Sequence, residues 1–395
     1  MTDRRSGRAA RGLRTALLAT AAGLLALPAL ASSENGVTGT TRGFVFQYFW
    51  YAMNYGADDC PQGLAISLEK EYAGRPYTAG RAKGSFKDYT LQFGLKGIDE
   101  RCPNPAAFEE PPLRLAQGKV AFGVNLDGVD SDAVTPNSCA HQNFKGPAGE
   151  AGIDNQLYRV LGCIAAYRPE QHFQSNTIRD FVNSARQDGQ VTTVMEIRGL
   201  DNDLNDDHVE VGLYSTRNPT QYDPERKGVP YESYEVDPNP RWQNIGTGKV
   251  VNGVLVSDPF DIRLDHYQGE GLLHRAENYI KAARLRLQLK PDGSAEGLLA
   301  GYSDVETVYT AEFGQWVNYL EFGFGGSCPA LYKALYEQAD GYPDPNTGQC
   351  TAISTAYRID AVPAFLIHRN PGEEGAAQVA ERPAGIAGWL KKLGW

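Results

Sequence analysis

The sequence predicts a mainly β chain: an antiparallel β-sandwich, jelly-roll-like, with short helices in the Cys139–Cys163 region and in the C-terminal segment. Three observations lead there. Between residues 191 and 302 apolar and polar side chains alternate, as Ala283, Leu285, Leu287 and Leu289 do against Arg284, Arg286, Gln288 and Lys290. Successive side chains on a strand change face, so such runs have one buried and one wet face, the habit of antiparallel sheets. Asn252-Gly253 between two valine-rich runs reads as a two-residue type I′ hairpin turn. Pro291-Asp292-Gly293 reads as the turn that returns the longest run into Gly297–Tyr302. Roughly seven such strands would stack as two sheets with their alternate apolar residues between them.

The elements follow in chain order. Residues 1–31 read as a signal peptide. Arg4, Arg5, Arg8, Arg11 and Arg14 precede an apolar run from Ala16 to Leu30, which closes on Ala29-Leu30-Ala31. The run is shorter than the ~20 apolar residues of a spanning helix. Export to the periplasm or beyond is therefore expected, with no membrane span after cleavage. Residues 32–125 form a β-rich part, with strands expected at Phe44–Tyr51, Tyr89–Leu95 and Lys119–Val124. Residues 126–190 form a loop-rich and helical disulfide segment. There Asp154 is expected to cap a helix carrying Leu157, Val160, Leu161 and Cys163, and Asn176–Arg186 a second helix. Residues 191–310 are the sandwich core. Residues 311–368 are a helical disulfide-stapled segment, with helices at Trp316–Phe322 and Pro329–Gln338 and Ser327 near the second N-cap. Residues 369–395 read as a loosely held tail.

Charge and motifs narrow the classes of function. The net charge of −10 disfavours a phosphate-backboned partner, so no nucleic acid is expected. Neither glycine-rich phosphate motif occurs, so no nucleotide is expected, and the absence of Cys-x-x-Cys-His excludes c-type haem attachment. Cys60, Cys102, Cys139, Cys163, Cys328 and Cys350 make an even set that reads as disulfides in an exported chain. Pairing of neighbours is expected, 60–102, 139–163 and 328–350, each contributing roughly 3–4 kcal/mol by restricting the unfolded chain.

Two acidic loops carry oxygen ligands at spacings that suit calcium, which needs six to eight converging hard oxygens. The first offers Asp201, Asp203, Asn205 and Asp207. The second offers Asp127, Asp130 and Asp132. The leading expectation is an exported cell-envelope or extracellular binding protein, calcium-stabilised, with an unidentified ligand of which carbohydrate is the candidate class. A secreted carbohydrate hydrolase is the alternative; Glu196, or Asp261 and Asp265, are the candidate carboxylates for the paired acid and base it needs. A periplasmic redox or metal protein using Cys139 and His141 is the third.

Overall fold

The computed structural model describes residues 39–65, 102–109, 112–130, 133–168, 192–266, 276–310 and 327–369. Its first strands are β1 (Thr40–Tyr51), β2 (Thr192–Leu200), β3 (Asn205–Thr216), β4 (Glu232–Glu235) and β5 (Gln243–Val251). They are followed by β6 (Val254–Ser257), β7 (Phe260–His266), β8 (Ala276–Leu289), β9 (Ala295–Asp304), β10 (Gly341–Pro343) and β11 (Cys350–Ile367). The helices are α1 (Gln156–Leu161), α2 (Val305–Val308) and α3 (Cys328–Glu337). The expected signal peptide, the strand at Tyr89–Leu95, the helices at Asn176–Arg186 and Trp316–Phe322, and the tail beyond Arg369 lie outside the described residues.

The alternation read along β8 holds. Ala283, Leu285 and Leu287 are fully buried, while Arg286 and Gln288 are exposed. The hairpin at Asn252-Gly253 is present: Val251 faces Val254, and the two turn residues have φ of 51° and 76°. The left-handed region at both positions is what a type I′ turn demands. Gly293, at φ 85°, turns β8 into β9.

The sandwich, however, is not formed. Antiparallel pairing runs β1-β2-β3-β5-β6-β8-β9-β11, and β11 pairs back with β1, so the sheet closes into an eight-stranded antiparallel barrel. Alternation dictates one dry face per strand; it is equally satisfied by two stacked sheets and by one sheet rolled onto itself. The closing pair settles which. Phe44 faces Pro363, Val45 faces Val362 and Phe49 faces Ile359, and both strands come from outside residues 191–310. β7 continues β6 along β8, Val256 facing Arg286 and Phe260 facing Ala283. The 18 residues of β11 are extended where a helical segment was expected.

A barrel of eight strands is just wide enough for side chains to fill. Phe44, Phe46, Met195, Ile197, Val211, Leu213, Leu255, Leu285, Leu287, Leu299 and Ile359 belong to one cluster, each at most 1% exposed. Each large apolar side chain so buried contributes roughly 1.5–3 kcal/mol. Outside, residues 217–236 cover β1, β2 and β3, packing Tyr234 and Val236 on Val45, Val194 and Tyr214. β4 adds to the end of β11 as its parallel neighbour.

Elsewhere on the barrel, residues 52–65, 102–109, 112–130, 133–167 and α3 form a cap. Three disulfides tie it, Cys60–Cys163, Cys102–Cys328 and Cys139–Cys350, across 103, 226 and 211 residues of sequence. Neighbour pairing is thus overturned. The cap is assembled from segments the barrel separates in sequence, so the nearest cysteine in space is a remote one along the chain. Disulfides of this kind belong to an oxidising, exported environment. Among the described residues no helix is long and apolar enough to cross a membrane.

Two local expectations also shift. Lys119–Val124 makes only isolated bridges, Val120 with Lys145 and Val124 with Asp154. α1 is capped by Asn155, whose side chain accepts from the Tyr158 amide, which leaves Asp154 outside the helix. Ser327 caps α3 as expected, its Oγ accepting from the Ala330 amide at 3.1 Å.

Candidate functional site

The Cys139–Cys350 disulfide joins the loop of residues 133–145 to the start of β11, and the Cys139 amide donates to the Asp340 carbonyl at 2.7 Å. A polar crevice opens beside this junction. Asp127, Ser138, His141, Asn143, Asp154, Tyr302 and Asp340 line it, and it measures about 220 Å³ including its open mouth. The space it encloses is about that of a single water, far short of a small-molecule site. It suits an ion or water better than an organic ligand.

Each carboxylate is aimed by the backbone. Asp127 sits in a tight turn: Asn125 Oδ1 accepts from the Gly128 amide at 2.7 Å, and Gly128 has φ of 84°. Asp127 Oδ1 accepts from the Val129 amide at 3.0 Å, and its Oδ2 from Ser138 Oγ at 3.2 Å. Asp154, freed from the capping role, accepts the Leu126 amide at 2.7 Å and Asn143 Nδ2 at 2.8 Å. Asp340, between α3 and β10, accepts the Ser354 amide at 2.6 Å.

Burial dominates the electrostatics. It raises Asp154 to about 6, with nearby Asp127 adding to the rise and the Leu126 amide opposing it. It raises Asp340 to about 7 against the hydrogen bonds from Ser354, with Asp154 adding to the rise. Desolvation lowers His141, and Arg159 adds to that, so the imidazole is neutral at pH 7 while it bonds to the Ala339 backbone. Burial and the three carboxylates raise the Tyr302 phenol. Among the described residues no lysine or arginine pairs with Asp127, Asp154 or Asp340. Two carboxyls on the edge of titration without a cation mark a candidate functional site on physical grounds.

The loops singled out in the sequence fare differently. In the first, Asp203 is ion-paired to Arg42, and Asn205 Oδ1 accepts from the Asn252 amide at 3.1 Å. Asp206, outside the expected set, holds the turn by accepting the Asp201 and His208 amides. Asp201 and Asp207 complete this loop, with Asp201 exposed. In the second, Asp127 enters the crevice, Asp130 is exposed and Asp132 lies outside the described residues. Among the described residues no three His, Cys, Asp or Glu side chains stand close enough to ligate one metal ion directly. Asp154 was read as a helix cap and Asp340 and Tyr302 drew no attention. Asp127 in its acidic loop and His141 near Cys139 were the sequence signals that pointed to the site.

The other candidates are held by partners. Cys139 is bridged, and among the described residues no cysteine is free, which removes the thiol the redox reading needed. Glu196 is gripped by Arg198 and by His368 at 3.0 Å. Asp261 accepts from Tyr279 at 2.9 Å, and Asp265 is paired with Arg217. Four residues apart on β7, Asp261 and Asp265 are separated by roughly 13 Å of strand, beyond the 5–10 Å of a glycosidase pair. Compared with family models, curated proteins and solved structures, the chain finds no match.

Proposed function

We propose that the chain is an exported, non-catalytic binding protein that uses its filled barrel as a scaffold and takes a neutral carbohydrate on its outer surface. The observation that carries this reading is an aromatic pair at the junction of β4 and β11. Tyr231 and Phe365 are 59% and 58% exposed, with ring centroids 6.2 Å apart. Tyr231 is held there at φ 63°, an uncommon conformation for a bulky residue, by the hydrogen bond its N–H donates to the Pro363 carbonyl at 2.6 Å. Exposed aromatic surface rimmed by polar groups is the signature of a contact site. Rings of this kind stack on the C–H faces of sugars, and the exposed Glu232 and Ser233 beside them accept sugar hydroxyls. The acidic chain disfavours anionic polymers, so the partner is a neutral glycan.

Two further features support the scaffold role. Among the described residues a large cluster of buried apolar side chains occupies the interior, which favours a ligand on the outside. The exposed face of β5 and β8 carries Thr247, Lys249, Arg286 and Gln288 beside Ile245 and Val251, a mixed surface that differs from the continuous apolar band of a lipid-embedded barrel.

Affinity electrophoresis through gels containing neutral polysaccharides, followed by calorimetry with the matching oligosaccharides, tests the reading. The wild-type chain is expected to be retarded, and Tyr231→Ala and Phe365→Ala to run freely while melting normally. A panel that retards nothing, or variants retarded as strongly as wild type, ends it.

A further inference from the structure

We infer that the face formed by Tyr231, Phe365 and Ile367 is the docking surface of this chain's own C-terminal segment, residues 383–395. The docking itself stands without the carbohydrate reading; only its effect on glycan access rests on that reading.

Three observations carry it. The first is the surface. Phe365 and Ile367 alternate along the end of β11, so both project to one side. They are 58% and 43% exposed, beside the 59%-exposed Tyr231. Apolar residues exposed singly need no explanation, but three together mark a contact site. The second is the segment. Its apolar residues Ile386, Trp389, Leu390 and Leu393 recur at the spacing of one helical face. A face so patterned seeks apolar surface to cover it, and the end of β11 supplies that surface. The third is where the two meet. Arg369, two residues past Ile367, is ion-paired to Glu235 at the end of β4. Sixteen residues, Asn370 to Gly385, then lead to Ile386. Fully extended, such a stretch reaches about 50 Å, so the face lies within range. Tethering beside the face gives an effective concentration on the order of millimolar, which fills even a weak site.

Charge agrees with this occupant. Residues 383–395 contain Lys391 and Lys392 and no acid. Glu232, next to Tyr231, is exposed. Asp292 is exposed in the β8–β9 turn, where a Cβ on neighbouring Gly293 would stand 3.4 Å from the Tyr231 hydroxyl. A second copy of the chain would bring its own net charge of −10 toward these acids, which opposes a whole-molecule contact there. With the segment seated, the aromatic pair is covered. A glycan then binds only the uncovered fraction, and its apparent affinity falls in proportion.

The test uses the full oxidised chain, grown with fluorotryptophan and read by fluorine NMR. Its five tryptophans are assigned by replacing them singly with phenylalanine. The Trp389 resonance is expected to be displaced from its position in the free peptide 383–395, and to stay displaced on dilution. Phe365→Ala with Ile367→Ala should return it to the free position while Trp50 and Trp242 do not move, which shows the fold intact. Glu232→Lys should move it part of the way back, and adding Lys391→Glu with Lys392→Glu should recover part of that loss. Trp389→Ala with Leu393→Ala should bind several-fold more tightly the polysaccharide that retards the wild type. A Trp389 resonance at the free position in the wild type overturns the inference, as does a displaced one that the Phe365 and Ile367 replacements leave in place. Return to the free position on dilution overturns it too, because the occupied surface then belongs to a second copy. The two readings fail separately. A displaced Trp389 with no polysaccharide retarded sinks only the carbohydrate reading, and a retarded chain with Trp389 at the free position sinks only this one.

Discussion

Arg168 Nη2 lies 2.9 Å from Asp59 Oδ2, and both residues are at most 3% exposed. The same carboxylate accepts the Tyr158 hydroxyl and the Gly56 amide, so one buried acid ties residues 56–59 to α1 and to the end of the cap. Removing one partner of a buried pair leaves the other charge stranded, which costs roughly 3–5 kcal/mol. Arg168→Met is therefore expected to lower the denaturation midpoint sharply. Asp59→Asn in the same chain should recover part of the loss. If the single variant unfolds within error of wild type, the pair does not hold the cap.

The disulfide pattern makes a separate prediction. Peptide mapping without reduction should recover the fragments 60–163, 102–328 and 139–350 and none joining neighbours. Because each bridge closes a loop of more than 100 residues, the chain-entropy account assigns each about 5 kcal/mol. Replacing Cys139 and Cys350 together by serine should lower the melting temperature by several degrees. It should also loosen the crevice, since Asp340 directly precedes β10 and its carbonyl takes the Cys139 amide.

Both results bear on what could be read from residue order. Periodicity and turn chemistry are local, so β8, the Asn252-Gly253 hairpin and the Ser327 cap were legible in advance. Closure is not local. The pairing of Phe49 with Ile359 joins strands about 310 residues apart, and nothing in either strand names the other. The cysteines failed for the same reason, since chain proximity was a poor guide to a cap gathered from three segments. The crevice was half legible: Asp127 stood in an acidic loop, but Asp154 and Asp340 become neighbours only once the cap sits on β9 and β11. Tyr302, spaced as a strand residue, gave no sign that its hydroxyl would end among acids.

The Glu196 cluster predicts a pH dependence. Burial pushes Glu196 up, but the His368 hydrogen bond and the Arg198 charge outweigh it and hold the carboxyl below its ordinary value of 4.5. A depressed folded-state value means the unfolded chain takes up the proton first. The contribution to stability is therefore full above about 4.5 and is lost as the pH falls through the folded value. Glu196→Gln should lower stability at pH 6 and flatten its decline on acidification. Denaturant midpoints at half-unit intervals between pH 6 and pH 3 measure this. A variant whose midpoint falls with acid in parallel with wild type would show that another group governs the acid limb.

Barrel closure itself is open to direct measurement. Val45 pairs with Val362 on one side and with Val194 on the other, so β1 has no free edge over that stretch. In a sandwich with β1 at its margin, every second amide there would face solvent and exchange quickly. In the barrel, amides of Phe44, Val45 and Phe46 should exchange only through global opening, as slowly as those of Leu285 and Leu287. Leu285→Ala should cost roughly 2–5 kcal/mol through the cavity it leaves and should speed all of these amides together. The 47%-exposed Ile245, replaced by alanine, should change none of them appreciably. Fast alternate exchange along β1 with β8 still protected would mean the sheet is open between β1 and β11. The filled scaffold on which the outer-surface reading depends would then be wrong.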